Sequence, residues 1–233
     1  MKEKDLDIDL TCHVVYSKEC KKEIKRVIEK HYNEKERELI WKKVQIKYVE
    51  FLKSFRTDLG GKKNFHNCKG GTYDCIAIAS YYVVCKDKTS LEELETIEKN
   101  ILLPSFKKIK FVDINKPLFK KLMYIAFKKA LCRCNKWNDY KMHLDDYNKE
   151  KPLSYNFTEC PVAKFAKEND LLEIMPAFCN PDYDAMELIH AKLIRKTTCS
   201  NGKICDYVIC GDKDPYIKNH KEYVDEIGYR RNK

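Results

Sequence analysis

Tyr73 to Val84 is an apolar block that must be buried somewhere. Its β-branched residues would allow a strand, but its length predicts a buried helix. A helix apolar on all sides cannot be a surface element, so other elements must enclose it. The flanking sequence supplies them. From Lys18 to about Phe55, Ile24, Val27, Ile28, Tyr32, Ile40, Val44, Val49, Leu52 and Phe55 recur at helical steps, and Asn33 marks a break between two helices. Asp58-Leu59-Gly60-Gly61 stops this run, and Gly60 to Gly71 reads as a loop.

Downstream, Ser90-Leu91-Glu92-Glu93 has the form of a capping box, and Pro104 is expected to end the helix it starts. Pro117 suits the first position of another helix, through Leu118, Leu122, Ile125, Phe127 and Leu131, with Trp137 and Tyr140 towards its end. Near Lys151 the period changes. Leu153, Tyr155 and Phe157 alternate with polar residues, as in a half-buried strand. Short helices are predicted after Pro161 and Pro181, and strands over 189–199 and 203–210. Between those strands Asn201-Gly202 fits a two-residue type I′ hairpin turn. The sum is an α+β chain: a helical N-terminal half packed on a small antiparallel sheet, with two short helices in the C-terminal half. A single domain is expected over 1–211 (helical over 1–150, sheet-containing over 151–211), followed by a polar surface tail over 212–233.

The formal net charge is +10, with 46 basic and 36 acidic residues interspersed, and this describes a solvated mixed surface. No RNA-binding signature accompanies it, and no run approaches the roughly 18 apolar residues of a membrane span. Neither a nucleic-acid nor a membrane partner is expected. Met1–Thr11 is charged and lacks the apolar core of a secretion signal. A cytoplasmic location follows, with the 12 cysteines reduced. There is no Cys-x-x-Cys pair, so neither structural zinc nor a disulfide is expected, and a zinc site of Cys160, Cys179, Cys205 and a histidine is a minor alternative. No phosphate-binding glycine loop and no nucleophile elbow occur, and no cofactor is expected.

Two cysteines precede prolines that open helices: Cys160 before Pro161, and Cys179 before Asn180-Pro181-Asp182. Both are expected at helix N-termini, where the dipole and free N–H groups lower a thiol pKa or bind a carboxylate. Asp182 and Asp184 oppose the first effect. A two-residue hairpin would set Thr198 opposite Cys205 and Thr197 opposite Asp206. Arg195, Thr197 and Asp206 would then share a face, with Cys205 on the other. Arg195 is a candidate carboxylate anchor oriented by Asp206.

Three segments, in this order, carry a resemblance: Phe157-Thr158-Glu159-Cys160-Pro161-Val162-Ala163, Phe178-Cys179-Asn180-Pro181-Asp182, and Arg195 through Tyr207. They resemble the signatures of the L-2-amino-thiazoline-4-carboxylic acid hydrolase family. Tyr207 stands where phenylalanine is more usual, and Cys199 where a small residue is commoner. The resemblance implies ring opening of 2-aminothiazoline-4-carboxylate, or of a related cyclic amidine, to N-carbamoyl-cysteine. It also implies a small anionic or zwitterionic substrate. Cys179 is then the first-choice nucleophile and Cys160 the second. Asp182 holds the amidinium or acts as base, and Arg195, with Asp206 and Cys205, binds the carboxylate. Asn64 and His66 on the glycine-rich loop would close over the site. The C-terminal half is also similar to 4-vinyl-reductase-type domains, which implies a non-enzymatic small-molecule-binding alternative.

Overall fold

A computed structural model describes residues 16–54, 71–135 and 141–233. The apolar block is a helix enclosed by others. It forms α3 (Gly71–Val84), whose residues Thr72 to Tyr82 are all buried. Around it pack α1 (Lys18–His31), α2 (Glu34–Ser54), α4 (Leu91–Lys107) and the short α6 (Pro161–Glu168). Each boundary has a local cause. Ser17 caps α1 by accepting from the Cys20 amide. Asn33 breaks the first run because its side chain accepts from the Lys35 and Glu36 amides, while Glu36 accepts back from the Asn33 amide. Ser90 accepts from the Glu93 amide at 3.2 Å.

Two expectations about this half are corrected. Pro104 does not end α4, which continues to Lys107. The N-terminal helical part also holds a strand, β1 (Lys141–Leu144), inside the span read as helical. Trp137 and Tyr140 lie outside the described residues, as do Asn64 and His66.

The sheet is antiparallel in the order β1, β2 (Leu153–Glu159), β4 (Cys205–Gly211), β3 (Ala191–Ile194). Tyr155 pairs with Tyr207 and Phe157 with Cys205, so the alternating aromatic residues of β2 share a face with Cys205, Tyr207 and Ile209. Tyr155 and Tyr207 stack at 4.6 Å, and Phe127 of α5 (Pro117–Cys134) lies 4.7 Å from Tyr155. Leu153, Leu193, Ile209 and Ile114 form a second apolar cluster, against which Phe119 and Met123 of α5 pack.

The hairpin differs from its predicted form. Ile194 pairs with Val208, one residue off the expected register, and both strands stop short of the turn. Gly202 is not among the positive-φ glycines, so the connection is no type I′ turn. Side chains hold it instead: Asp206 accepts from the Lys196 and Thr197 amides, and Asn201 from the Thr198 amide. These local acceptors replace the tight turn.

The tail is also built into the fold, although most of its residues are exposed. It forms β5 (Glu222–Val224) and β6 (Arg230–Asn232), joined through Gly228 at φ +99°. Tyr229 and Asn232 are buried. Asn232 Oδ1 accepts from the Arg195 amide at 3.0 Å and the Tyr183 hydroxyl at 3.1 Å. Asn180 holds the same segment, donating to the Gly228 carbonyl and accepting from the Arg230 amide. Replacing Asn232 with alanine strands the buried Arg195 amide and leaves the Tyr183 hydroxyl only its longer bond to the Arg195 carbonyl at 3.4 Å, so a loss of about 1–3 kcal/mol is expected from urea denaturation. A change below about 0.5 kcal/mol, the scale of an ordinary surface substitution, would contradict this account of the tail.

Candidate functional site

A cavity of about 200 Å³ lies where the helical layer meets the β2–β4 face. The N-terminus of α3 (Gly71, Thr72), Glu98 of α4, and Val162 and Ala163 of α6 form one part of its wall. Phe157, Cys205 and Tyr207 come from the sheet, and Thr198 and Ser200 from the hairpin connection. Phe178 and Cys179 of α7 (Met175–Cys179) and Asp182 of α8 (Pro181–Glu187) complete it. Of the site residues expected from sequence, Cys160, Cys179, Cys205 and Asp182 line this one cavity.

Arg195 does not line it. The side chain is fully buried, with 0% exposure. Nη1 donates to Asp182 Oδ2 at 3.2 Å and to the Tyr207 hydroxyl at 3.3 Å, and Nη2 donates to the Cys179 carbonyl at 2.9 Å. The Tyr207 hydroxyl donates to the same Asp182 oxygen at 3.1 Å, closing a triangle. The guanidinium also lies 5.1 Å from the Tyr183 ring and 5.3 Å from the Tyr207 ring. Arg195 therefore pairs with Asp182, not Asp206. The shifted register sets it just past the end of β3, on the Tyr207 side, while Asp206 is taken up by the backbone of Lys196 and Thr197. Arg195 reaches the cavity through Asp182.

The two cysteines sit in different settings. Cys160 is the N-cap of α6 with Pro161 at the first helical position. Burial is the largest influence on its thiol and pushes the pKa up to about 11, against the Ala163 and Val162 N–H groups, which lower it. Cys179 is the last residue of α7, and Asn180 continues in helical conformation (φ −65°, ψ −36°) into Pro181. Cys179 thus directly precedes the N-cap of α8, but within a nearly continuous helical stretch. Burial pushes its thiol up to about 12, the Arg195 charge lowers it, and Asp182 raises it further. The expected acidification is outweighed by desolvation at both positions. Cys199 is the exception: hydrogen bonding with the Cys205 thiol lowers it, although its own thiol donates to the Phe157 carbonyl. Among the described residues, no three His, Cys, Asp or Glu side chains group closely enough to hold a metal ion.

Glu98 is the site residue that sequence reasoning missed. Its Oε2 is buried and has no hydrogen-bond partner. Burial, then the charges of Asp74 and Asp182, push its carboxyl up to about 8. The signal was present: Glu98 follows Ile97 and lies between Leu94 and Ile101 on the apolar stripe of α4. Asp182 is also raised, by burial foremost, while Arg195 and Tyr207 lower it. Asp74, bonded by the Ser17 amide and hydroxyl, rises to about 6.

An α+β fold thus encloses a small cavity lined by thiols and two carboxyl groups. The model of the L-2-amino-thiazoline-4-carboxylic acid hydrolase family matches residues 15–209, and the chain belongs to that family. No curated protein and no solved structure gives a match. The family carries the name of a hydrolase, and its match spans the helical layer as well as the three cavity segments. No helix among the described residues is long and apolar enough to cross a membrane.

The raised carboxyls set a pH dependence. Glu98 keeps its proton in the folded chain up to about pH 8, whereas its ordinary value is 4.5. The folded state binds more protons through that window, so stability falls as pH rises across it. Asp74 adds to the lower part of the slope. The urea midpoint is expected to drop between about pH 6 and 8, and Glu98→Gln to flatten that drop. A wild-type midpoint that rises over this interval would overturn the assignment.

Proposed function

We propose that this chain hydrolyses a small cyclic amidine or isothiourea-type substrate, such as 2-aminothiazoline-4-carboxylate, opening the ring to N-carbamoyl-cysteine. The observation that carries the reading is the Asp182 carboxylate, held by Arg195 and Tyr207, on the same cavity as the thiols of Cys160 and Cys179. Family membership supports it.

The ring carbon C2 bears two nitrogens and the ring sulfur. In the amidinium form it is electrophilic, and a carboxylate accepting from its N–H groups fixes its orientation. Asp182 takes that role, and Arg195 is a positioning residue that holds Asp182. Attack at C2 by a thiol or by water gives a tetrahedral species. The C2–S bond then breaks and the ring sulfur leaves as a thiol, taking up a proton. Where a protein thiol attacks first, water displaces it in a second step, and the oxygen of water becomes the urea carbonyl. Cys160 is the nucleophile in this scheme, because the Val162 and Ala163 N–H groups favour its thiolate and Cys179 has no such donors. Cys179 and Cys205 shape the wall. The substrate is a small zwitterion, the protein a cytoplasmic enzyme, and no cofactor, nucleic acid or membrane takes part.

The test is thiol release from 2-aminothiazoline-4-carboxylate by the purified chain. Asp182→Asn and Cys160→Ser are each expected to lose about 10²–10⁴-fold in kcat/KM, with Cys179→Ser retaining most activity. An unchanged rate in Cys160→Ser would remove the thiol nucleophile and leave direct attack by water. No turnover by wild-type protein would overturn the hydrolytic reading itself.

A further inference from the structure

Glu98 has no part in that scheme, yet it is the most exceptional group on the cavity. Buried polar atoms nearly always have a partner, and an orphan facing a cavity leaves room for a ligand to supply one. Glu98 lines the cavity, and its buried Oε2 has no partner. The titratable groups whose charges act on it are acidic: Asp74 from α3 and Asp182 from α8. It acts in turn on the thiols of Cys20 and Cys75, raising both. Among the described residues, no lysine, arginine or histidine lines the cavity. Asp182 has Arg195 as counter-ion, whereas Glu98 has none among the described residues. The wall therefore offers one carboxyl group beyond its own complement of positive charge, beside an otherwise mostly apolar surface.

We propose that Glu98 is a second receptor, beside Asp182, for the cationic, N–H-bearing head of the ligand, so that the cavity selects small amidinium or isothiouronium cations and binds them by releasing the Glu98 proton to solvent. The proposal rests on the small-molecule reading of this cavity and deepens it, by naming the ligand class and the group that meets it. The charge balance is explicit. One cation enters, one proton leaves the Glu98 carboxyl, and the new carboxylate accepts hydrogen bonds from the ligand's N–H groups. The site's net charge is unchanged, which avoids leaving an uncompensated ion in a poorly solvated cavity. Because Glu98 holds its proton up to about pH 8, the release accompanies binding at neutral pH and fades above that value.

The probe is S-methylisothiouronium, which carries the same head without a ring to open. Its binding is followed by titration calorimetry in two buffers of different ionisation enthalpy, at pH 7 and pH 9. Wild-type protein is expected to release close to one proton per cation bound at the lower pH and little at the higher. Glu98→Gln, nearly isosteric, is expected to lose the release and to bind about tenfold or more weakly, the scale of one charge-assisted hydrogen bond. Glu92→Gln, exposed on the same helix, serves as the unaffected control. No binding by wild type, binding without proton release, or an unweakened Glu98→Gln would each overturn the proposal. The wild-type release is read without any variant, so a misfolded Glu98→Gln does not shield it. Cation binding with proton release but no thiazoline turnover overturns hydrolysis alone. Turnover without release overturns this inference alone.

Discussion

The buried guanidinium of Arg195 is the point on which the site depends. A positive charge with no exposure is tolerable only when its donors are satisfied and its charge is paired. The structure pairs the charge and engages both terminal nitrogens with groups from separate parts of the chain, while Nε has no partner: the carboxylate of Asp182 on α8, the hydroxyl of Tyr207 on β4, and the carbonyl of Cys179 at the end of α7. Its own backbone amide is held by Asn232 in the last strand. Each contact also fixes a piece of the cavity wall. One ion thereby sets the direction of Asp182, the position of Tyr207 and the path of the chain from α7 into α8.

The same interaction explains why the tail is ordered. Residues past 211 are polar in sequence, but Asn232 and Tyr229 complete hydrogen-bonding needs that the core cannot meet alone. Asn232 satisfies Arg195 and Tyr183, and the Tyr229 hydroxyl bonds Ser200 at 2.6 Å. Ser200 in turn bonds Thr198, and both line the cavity. The tail is thus joined to the site by side-chain contacts, and its order follows from satisfying buried donors more than from apolar burial.

Local signals in the sequence were legible, and long-range ones were not. Asn33, Ser90, Pro117, Pro161 and Pro181 marked helix starts because caps and N1 prolines act within a few residues. The alternation of Leu153, Tyr155 and Phe157 revealed the inward face of β2, and the uninterrupted apolar block revealed α3. The hairpin misled because Asn-Gly is a preference, overridden here by the side-chain acceptors Asp206 and Asn201. That single-residue difference in register moved Arg195 from Asp206 to Asp182. Pro104 did not stop α4. Cys160 and Cys179 looked alike in sequence, but Asn180 stays helical and separates their environments. Glu98 was overlooked because one carboxyl within an apolar stripe attracts no motif.

The central claim is that Arg195 is buried in order to hold Asp182 as a carboxylate on the cavity. A double-mutant cycle on stability tests it directly, using Arg195→Met, Asp182→Asn and the pair. Arg195→Met should cost about 3 kcal/mol or more, because it leaves an unpaired carboxylate beside apolar surface. Adding Asp182→Asn should recover part of that loss, with a coupling energy of roughly 1–3 kcal/mol. Strictly additive losses would show that the two side chains do not depend on each other, and would contradict the account.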